Sequence, residues 1–409
     1  MMRQNLHKLP KCVALLGSLP LVGMAPFVFA APVPTGASGT LAGGQTLTVS
    51  GSSFGTQGPH IVLMEDFERD TAGQKVQLGG APVGAWTGYN SSNTFLASPN
   101  AHTGKVGFHA FDYPHQGANI LNLALSGQYQ EAFISYWVAI PAGKSFPGGL
   151  GPNSSPTPPG PGEWPTDSAW KFAWLVQGAG ANSTASMFDL RTMDYGGPGM
   201  FQPAESNSGY AMYIEPGNYL MNANDIGSSW WTWNGWNRLT TWMRGNSTVP
   251  SGAPGGMQQT LNNQSGLSTW SFGNPVTYPT SAMFQKGVPN YFTQINVPGW
   301  IRENSGPNAD PTYDDIYIAV GPGAAARVEL TDSATYAGSK HATILRAINW
   351  SNTQVTAQIP SAGLDFSGTA YLYVTDSNGD TNAGGIAVGT VGGTTAAVQP
   401  DPPTNVTVR

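Results

Sequence analysis

The chain has 409 residues, room for two or three domains, and only 10% are charged, against about 25% in an average soluble domain. Its 53 Gly and 33 Pro accompany 13 Trp, 15 Tyr and 16 Phe, so turns and core material are both plentiful, which excludes a disordered chain. A formal net charge of −6 with so few Lys and Arg argues against a nucleic-acid or anionic-membrane partner.

Arg3, Lys8 and Lys11 precede an apolar run that closes on Val28, Phe29 and Ala30, the pattern of a secretory signal cleaved before Ala31. Pro20 and Pro26 interrupt that run, and no later run is long enough to cross a bilayer. A secreted, surface-bound or periplasmic protein without stable membrane insertion is therefore expected. The one cysteine, Cys12, lies in the signal, so the mature chain is expected to lack disulfides, thiol chemistry and Cys-bound metal.

Residues 31–39 are small and read as a linker. After them Leu47 and Val49 alternate with Thr46, Thr48 and Ser50, which predicts a half-buried strand ending in a glycine-bounded turn. Further short strands are predicted at 327–330, 353–359, 368–376 and 385–388, the last two forming a hairpin about Asn378 and Gly379. The Gly51-Ser52-Ser53-Phe54-Gly55 turn, the run Trp350-Ser351-Asn352-Thr353-Gln354-Val355 and the closing hairpin resemble an immunoglobulin-like IPT/TIG domain. The resemblance implies one small sandwich made of 31–60 and 326–390, with 61–325 inserted after its first strand and 391–409 as a flexible tail.

The insert carries strand-like segments at 118–125, 132–140, 170–176, 236–244, 291–297 and 313–320, separated by Gly/Pro-rich loops and without long helical periodicity. The opening Asp66-Phe67-Glu68, the strand at 235–244 and the closing Tyr313-Asp314-Asp315-Ile316-Tyr317-Ile318 resemble concanavalin-A-like lectin/glucanase domains. The expected fold class is all-β: a concanavalin-A-like jelly-roll sandwich plus a small immunoglobulin-like sandwich.

Three sets of residues are candidates for chemistry. Glu65, Asp66 and Glu68 lie on the opening strand and Asp314 and Asp315 on the closing one, neighbours in a jelly roll. Hard oxygen ligands gathered this way suit a structural Ca²⁺; the plain alternative is a solvated sheet edge. As a glycosidase pair they are poorly spaced, because Glu65 and Glu68 fall on opposite faces of a strand. Second, Arg238, Thr240, Trp242 and Arg244 share a face, where an indole to stack on sugar and guanidiniums to pair with carboxylates suit an acidic polysaccharide or cell-surface glycan. The alternative is that Trp242 packs under a loop while the arginines pair with Asp or Glu.

Third, Phe188-Asp189-Leu190-Arg191 and Gln294-Ile295-Asn296 resemble strands of alginate-lyase jelly rolls, with Asp189 and Asn296 standing where that pattern has Glu and His. The resemblance implies charge neutralisation by Arg191, Gln294 and Asn296. The base would come from His109 and Tyr113, or from His115. Non-covalent glycan binding is the leading expectation. An endo-acting polysaccharide lyase or glycoside hydrolase, and a structural surface or matrix component without a ligand, are the alternatives.

Overall fold

The computed structural model describes residues 30–89, 96–110, 121–140, 168–177, 186–191, 200–203, 232, 235–244, 256–262, 291–298, 300–303 and 311–392. The expected signal, Tyr113, His115 and the tail beyond residue 392 lie outside them. The opening strands are β1 (Val33–Gly39), β2 (Thr46–Ser52) and β3 (His60–Glu65). Short strands β4 (Gly88–Tyr89), β5 (Leu96–Ser98) and β6 (Gly107–His109) follow. Next come β7 (Leu121–Tyr129), β8 (Glu131–Ala139), β9 (Ser168–Gln177), β10 (Ser186–Arg191) and β11 (Met200–Pro203). The larger unit ends with β12 (Trp236–Arg244), β13 (Gly256–Leu261), β14 (Phe292–Val297), β15 (Trp300–Glu303) and β16 (Thr312–Val320). The closing strands are β17 (Arg327–Thr331), β18 (Ala342–Ile344), β19 (Arg346–Trp350), β20 (Gln354–Gln358), β21 (Thr369–Thr375) and β22 (Ile386–Thr390).

The fold is all-β. Two seven-stranded antiparallel sheets form the larger sandwich. One runs β11-β10-β9-β14-β7-β4 with β15 also on β9; the other runs β13-β12-β8-β16-β6-β5 with β3 also on β16. Leu63, Phe108, Tyr136, Leu175, Leu239 and Ile295 are among the side chains that fill the space between them. The smaller sandwich stacks β1-β2-β20-β19 on β18-β17-β21-β22. Its core joins Leu47 and Val49 to Leu330, Val355, Leu372 and Val388. β2 pairs antiparallel with β20, Thr46 opposite Gln358, so strands from both ends of the chain share one sheet.

Residues 31–39 are not a linker; they form β1, paired with β2 from Val33 opposite Ser52 to Gly39 opposite Leu47. The sequence VPTGASG lacks bulky β-formers because the two backbones approach closely. A Cβ on Gly39 (φ +135°) would lie 2.5 Å from the Thr46 carbonyl oxygen.

A third apolar cluster joins the sandwiches. Met64, Phe133, Trp242 and Tyr317 of the larger meet Ile344 of the smaller, with Ala324 and Ala325 of the connecting turn between them. The Arg327 guanidinium lies 4.7 Å over the Phe133 ring and thickens that contact. No helix of the described residues is long and apolar enough to cross a membrane.

Candidate functional site

The opening and closing strands are neighbours, with Ile316 opposite Glu65. β16 carries an irregularity between Asp314 and Tyr317 against β8, and Asp315 adopts φ +47°, a left-handed conformation that aspartate tolerates better than most residues. The kink aims both carboxylates at the loop before β6. Asp314 accepts the backbone N–H of His102 at 2.7 Å and of Asp315 at 2.8 Å. Asp315 accepts the Thr103 hydroxyl at 2.8 Å and meets His102 Nδ1 at 2.7 Å. The opposite ring nitrogen, Nε2, lies 2.9 Å from Asp365 of the smaller sandwich, and the imidazole stacks on Trp137 at 3.8 Å.

With a carboxylate on each nitrogen, both must donate, so the ring is an imidazolium. Burial alone would lower the His102 pKa, yet Asp315 and Asp365 together raise it above the usual value. Asp365, which also faces His341 Nδ1 at 2.6 Å, is held well below the carboxylate range: its burial is outweighed by the two imidazoles. Burial, reinforced by neighbouring Asp315, pushes Asp314 well up.

Glu65 ends β3, Asp66 and Glu68 follow in the turn where Phe67 adopts φ +53°, and all three hold neighbouring groups. Glu65 takes the Phe67 N–H at 2.9 Å, both terminal nitrogens of Arg69 at 2.5 and 2.8 Å, and Trp86 Nε1 at 3.0 Å. Glu68 takes the N–H groups of Lys105 and Val106 at 2.6 and 2.8 Å. Asp66 accepts the Ser361 hydroxyl at 3.1 Å. Among the described residues no group of three or more His, Cys, Asp or Glu converges as metal ligands. The carboxylates named for calcium, Glu65, Asp66, Glu68, Asp314 and Asp315, accept from N–H, guanidinium, hydroxyl and imidazole donors.

The Arg238–Trp242 face is turned to the smaller sandwich rather than to an open groove. Leu239 and Met243 enter the main core, so period two sends Arg238, Thr240 and Trp242 the other way. Arg238 is 1% exposed, donates from Nε to Ser135 at 3.1 Å and pairs through Nη2 with buried Glu329. The other Glu329 oxygen takes Arg327 Nε and the Tyr336 hydroxyl, each at 2.8 Å. Burial alone would raise this carboxyl; Arg238 and Arg327 together bring it down to about 2. Trp242 is buried and donates Nε1 to Glu131 at 2.9 Å, while Arg244 meets the second Glu131 oxygen at 3.3 Å. The face expected to bind glycan is thus a seam between the sandwiches.

Gln294 and Asn296 are brought together on the opposite sheet, and with a residue that sequence reasoning missed, Asn122. Leu123 and Ile295 point into the core, leaving Asn122, Ala124, Ser126 and Gln128 on the outer face, the last three of them exposed or nearly so. Gln294 Nε2 bridges the side-chain oxygens of Asn122, at 3.1 Å, and Asn296, at 2.6 Å. Asn296 is fully buried, and its Nδ2 has no hydrogen-bond partner. In register, Asn122, Asn296, Trp174, Asp189 and Gln202 form one row across β7, β14, β9, β10 and β11.

The expected catalytic group is divided. His109 is on β6 and Arg191 on β10, strands of different sheets, and Tyr113 lies outside the described residues. The unpredicted members of these networks are Asn122, His102, Asp365, His341, Glu329 and Tyr336. The partners of Asn122 and His102 come from distant sequence, 172 residues away for Gln294 and 213 for Asp315, so no local spacing announces them.

No protein-family model matches the chain, and no curated protein does. Among solved structures, alginate lyase Aly36B is 13% identical at TM-score 0.37, covering 64% of this chain and 96% of that one. Alginate lyase vAL-1 from Chlorella virus is 11% identical at TM-score 0.25, covering 58% and 88%. A Trypanosoma rangeli sialidase is 12% identical at TM-score 0.25, covering 61% of this chain and 33% of its own.

Proposed function

We propose that this is an exported polysaccharide-binding protein in which the outer face of the β7–β14–β9 sheet seats the glycan without cleaving it. We place the larger sandwich with the concanavalin-A-like domains and the smaller with the IPT/TIG-like ones. What supports the reading is one observation, the amide chain Asn122–Gln294–Asn296. Gln294 fixes the two asparagine oxygens, which orients the amide groups in advance; Asn122 and Gln294 are half-buried, while Asn296 beneath them is fully buried. Sugar hydroxyl or carboxylate oxygens are acceptors of the required kind, and a preoriented donor binds them with little ordering cost. Among the described residues His109 and Arg191 stand on different sheets, so that pair does not meet on this face.

The test uses the mature chain against a panel of acidic and neutral polysaccharides, read by gel retardation and by ultraviolet absorbance of unsaturated products. At least one polysaccharide is expected to retard the chain without cleavage. Gln294→Ala is expected to weaken binding by roughly tenfold, from a lost bond and a released neighbour amide. Rising absorbance would show a lyase and overturn the binding role. Retardation that is indifferent to Gln294→Ala would move the glycan off this face.

A further inference from the structure

Between the sandwiches lies a cavity of about 120 Å³ that the function proposed above does not use. Its wall carries five charged residues, and three of them already face an opposite charge: Glu65 meets Arg69, Asp315 meets His102 and Arg238 meets Glu329. Two charges are left over. They are Asp66, in the turn after β3 of the larger sandwich, and Arg346, on β19 of the smaller.

Asp66 is 7% exposed. Its oxygens accept the Glu68 N–H at 3.3 Å and the Ser361 hydroxyl at 3.1 Å, and among the described residues no cation pairs with it. Burial raises its pKa; those two hydrogen bonds oppose the rise, and neighbouring Asp315 and Glu68 add to it. A carboxylate this buried normally has a cationic partner. Arg346 is exposed, and among the described residues its guanidinium has neither an ion pair nor a hydrogen bond. The buried charge is thus negative and the accessible one positive. A lone cation would answer Asp66 only, and a lone anion Arg346 only. A molecule bearing an ammonium and a carboxylate answers both, since the ammonium donates to Asp66 and the carboxylate matches the guanidinium fork. The space sets its size. A cavity of about 150 Å³ takes the six carbons of benzene, so one of about 120 Å³ takes roughly five heavy atoms, the number in glycine.

We propose that this cavity binds the zwitterion of a small amino acid, its ammonium on Asp66 of one sandwich and its carboxylate on Arg346 of the other. Bound there, the ligand ties the sandwiches together and raises the melting temperature of the chain as its concentration exceeds Kd.

The probes are glycine, L-alanine and β-alanine, with methylamine and acetate as molecules that carry one of the two charges each. All are titrated calorimetrically and by thermal melting against the full chain. At least one amino acid is expected to saturate at one site per chain, and methylamine and acetate to bind at least about tenfold more weakly, each lacking one charge-assisted contact. Asp66→Asn and Arg346→Gln are each expected to weaken the amino acid by at least about tenfold. Arg346→Gln is expected to melt with the parent when no ligand is present, because the guanidinium is exposed and unpaired. Absence of saturation with all three amino acids would mean a water-filled seam and overturn the proposal. Methylamine binding as tightly as the amino acid, or equal binding by Arg346→Gln, would overturn it too, since the carboxylate would then have no partner in the wall. Gln294→Ala is expected to leave the affinity unchanged; an amino acid lost with that variant would sit on the outer sheet face instead.

Discussion

Glu329→Gln is the substitution that best measures how the two sandwiches are joined. Glu329 is fully buried on β17, between Arg238 of the larger sandwich and Arg327 of its own strand, with the Tyr336 hydroxyl as a third donor. An amide of the same shape keeps part of the hydrogen bonding but leaves two guanidiniums facing one another, Arg238 being 1% exposed. Removing one partner of a buried ion pair costs about 3–5 kcal/mol. Lowering of the carboxyl from 4.5 to about 2 independently corresponds to about 3 kcal/mol. Chemical denaturation of the chain at neutral pH, followed by Trp fluorescence, reads the loss directly. The expected result is a loss of about 3–5 kcal/mol, together with separate transitions for the two sandwiches, because the pair spans them. A loss under about 1 kcal/mol would refute the reasoning, since it would place Arg238 in contact with water. Arg238→Met combined with Glu329→Leu removes both charges, and is expected to recover most of the stability that either single change loses.

The His102 contacts make stability depend on pH. Its folded pKa is raised, so its contribution is fully present below about 6.5, the ordinary histidine value, and is lost as pH rises through the folded value. Denaturation midpoints are expected to fall as pH rises above about 6.5 in the parent, and to fall less in His102→Gln. Glu329 has the opposite sign: its contribution is present above about 4.5 and is lost as pH drops toward about 2, so denaturation midpoints are expected to fall with acidification below about 4.5 in the parent and to fall less in Glu329→Gln. Gly379→Ala is expected to destabilise by about 1–3 kcal/mol in the same denaturation assay, because Gly379 sits at φ +84° and a Cβ there would lie 2.4 Å from Trp242 Cζ3.

Strand patterning was legible where one face is buried and the other wet. Leu47 and Val49 stand out against Thr46, Thr48 and Ser50, and both are fully buried. The alternation of β12 likewise separates Leu239 and Met243 from Arg238 and Trp242. It does not tell which neighbour covers the second face. A Trp flanked by arginines has one appearance in sequence whether sugar or another sandwich lies over it, and here Glu329 and Gly379 of the smaller sandwich do. β1 was hidden because its small residues serve backbone approach rather than side-chain packing. The acidic pair Asp314-Asp315 was visible as a costly feature. Its resolution was not, because the compensating groups are backbone N–H donors of His102 and Thr103 and the His102 ring.

The same burial that removes Trp242 from consideration is what directs attention to β14. Each sheet of the larger sandwich has an inner face committed to the core, so only two outer faces remain. On the β12–β8–β16 sheet, the outer face is occupied by Ile344 in apolar contact, by Glu329 in an ion pair and by Asp365 against His102. Covering it with a second sandwich consumes its aromatic and charged groups in holding the two together. The β7–β14–β9 sheet bears no such partner among its described residues: Ala124, Ser126 and Gln128 are exposed, and the polar groups at its centre bond to one another rather than to a neighbouring domain. The glycan site proposed above falls on this second face, where, among the described residues, the buried amide nitrogen left without an acceptor, Asn296 Nδ2, also lies.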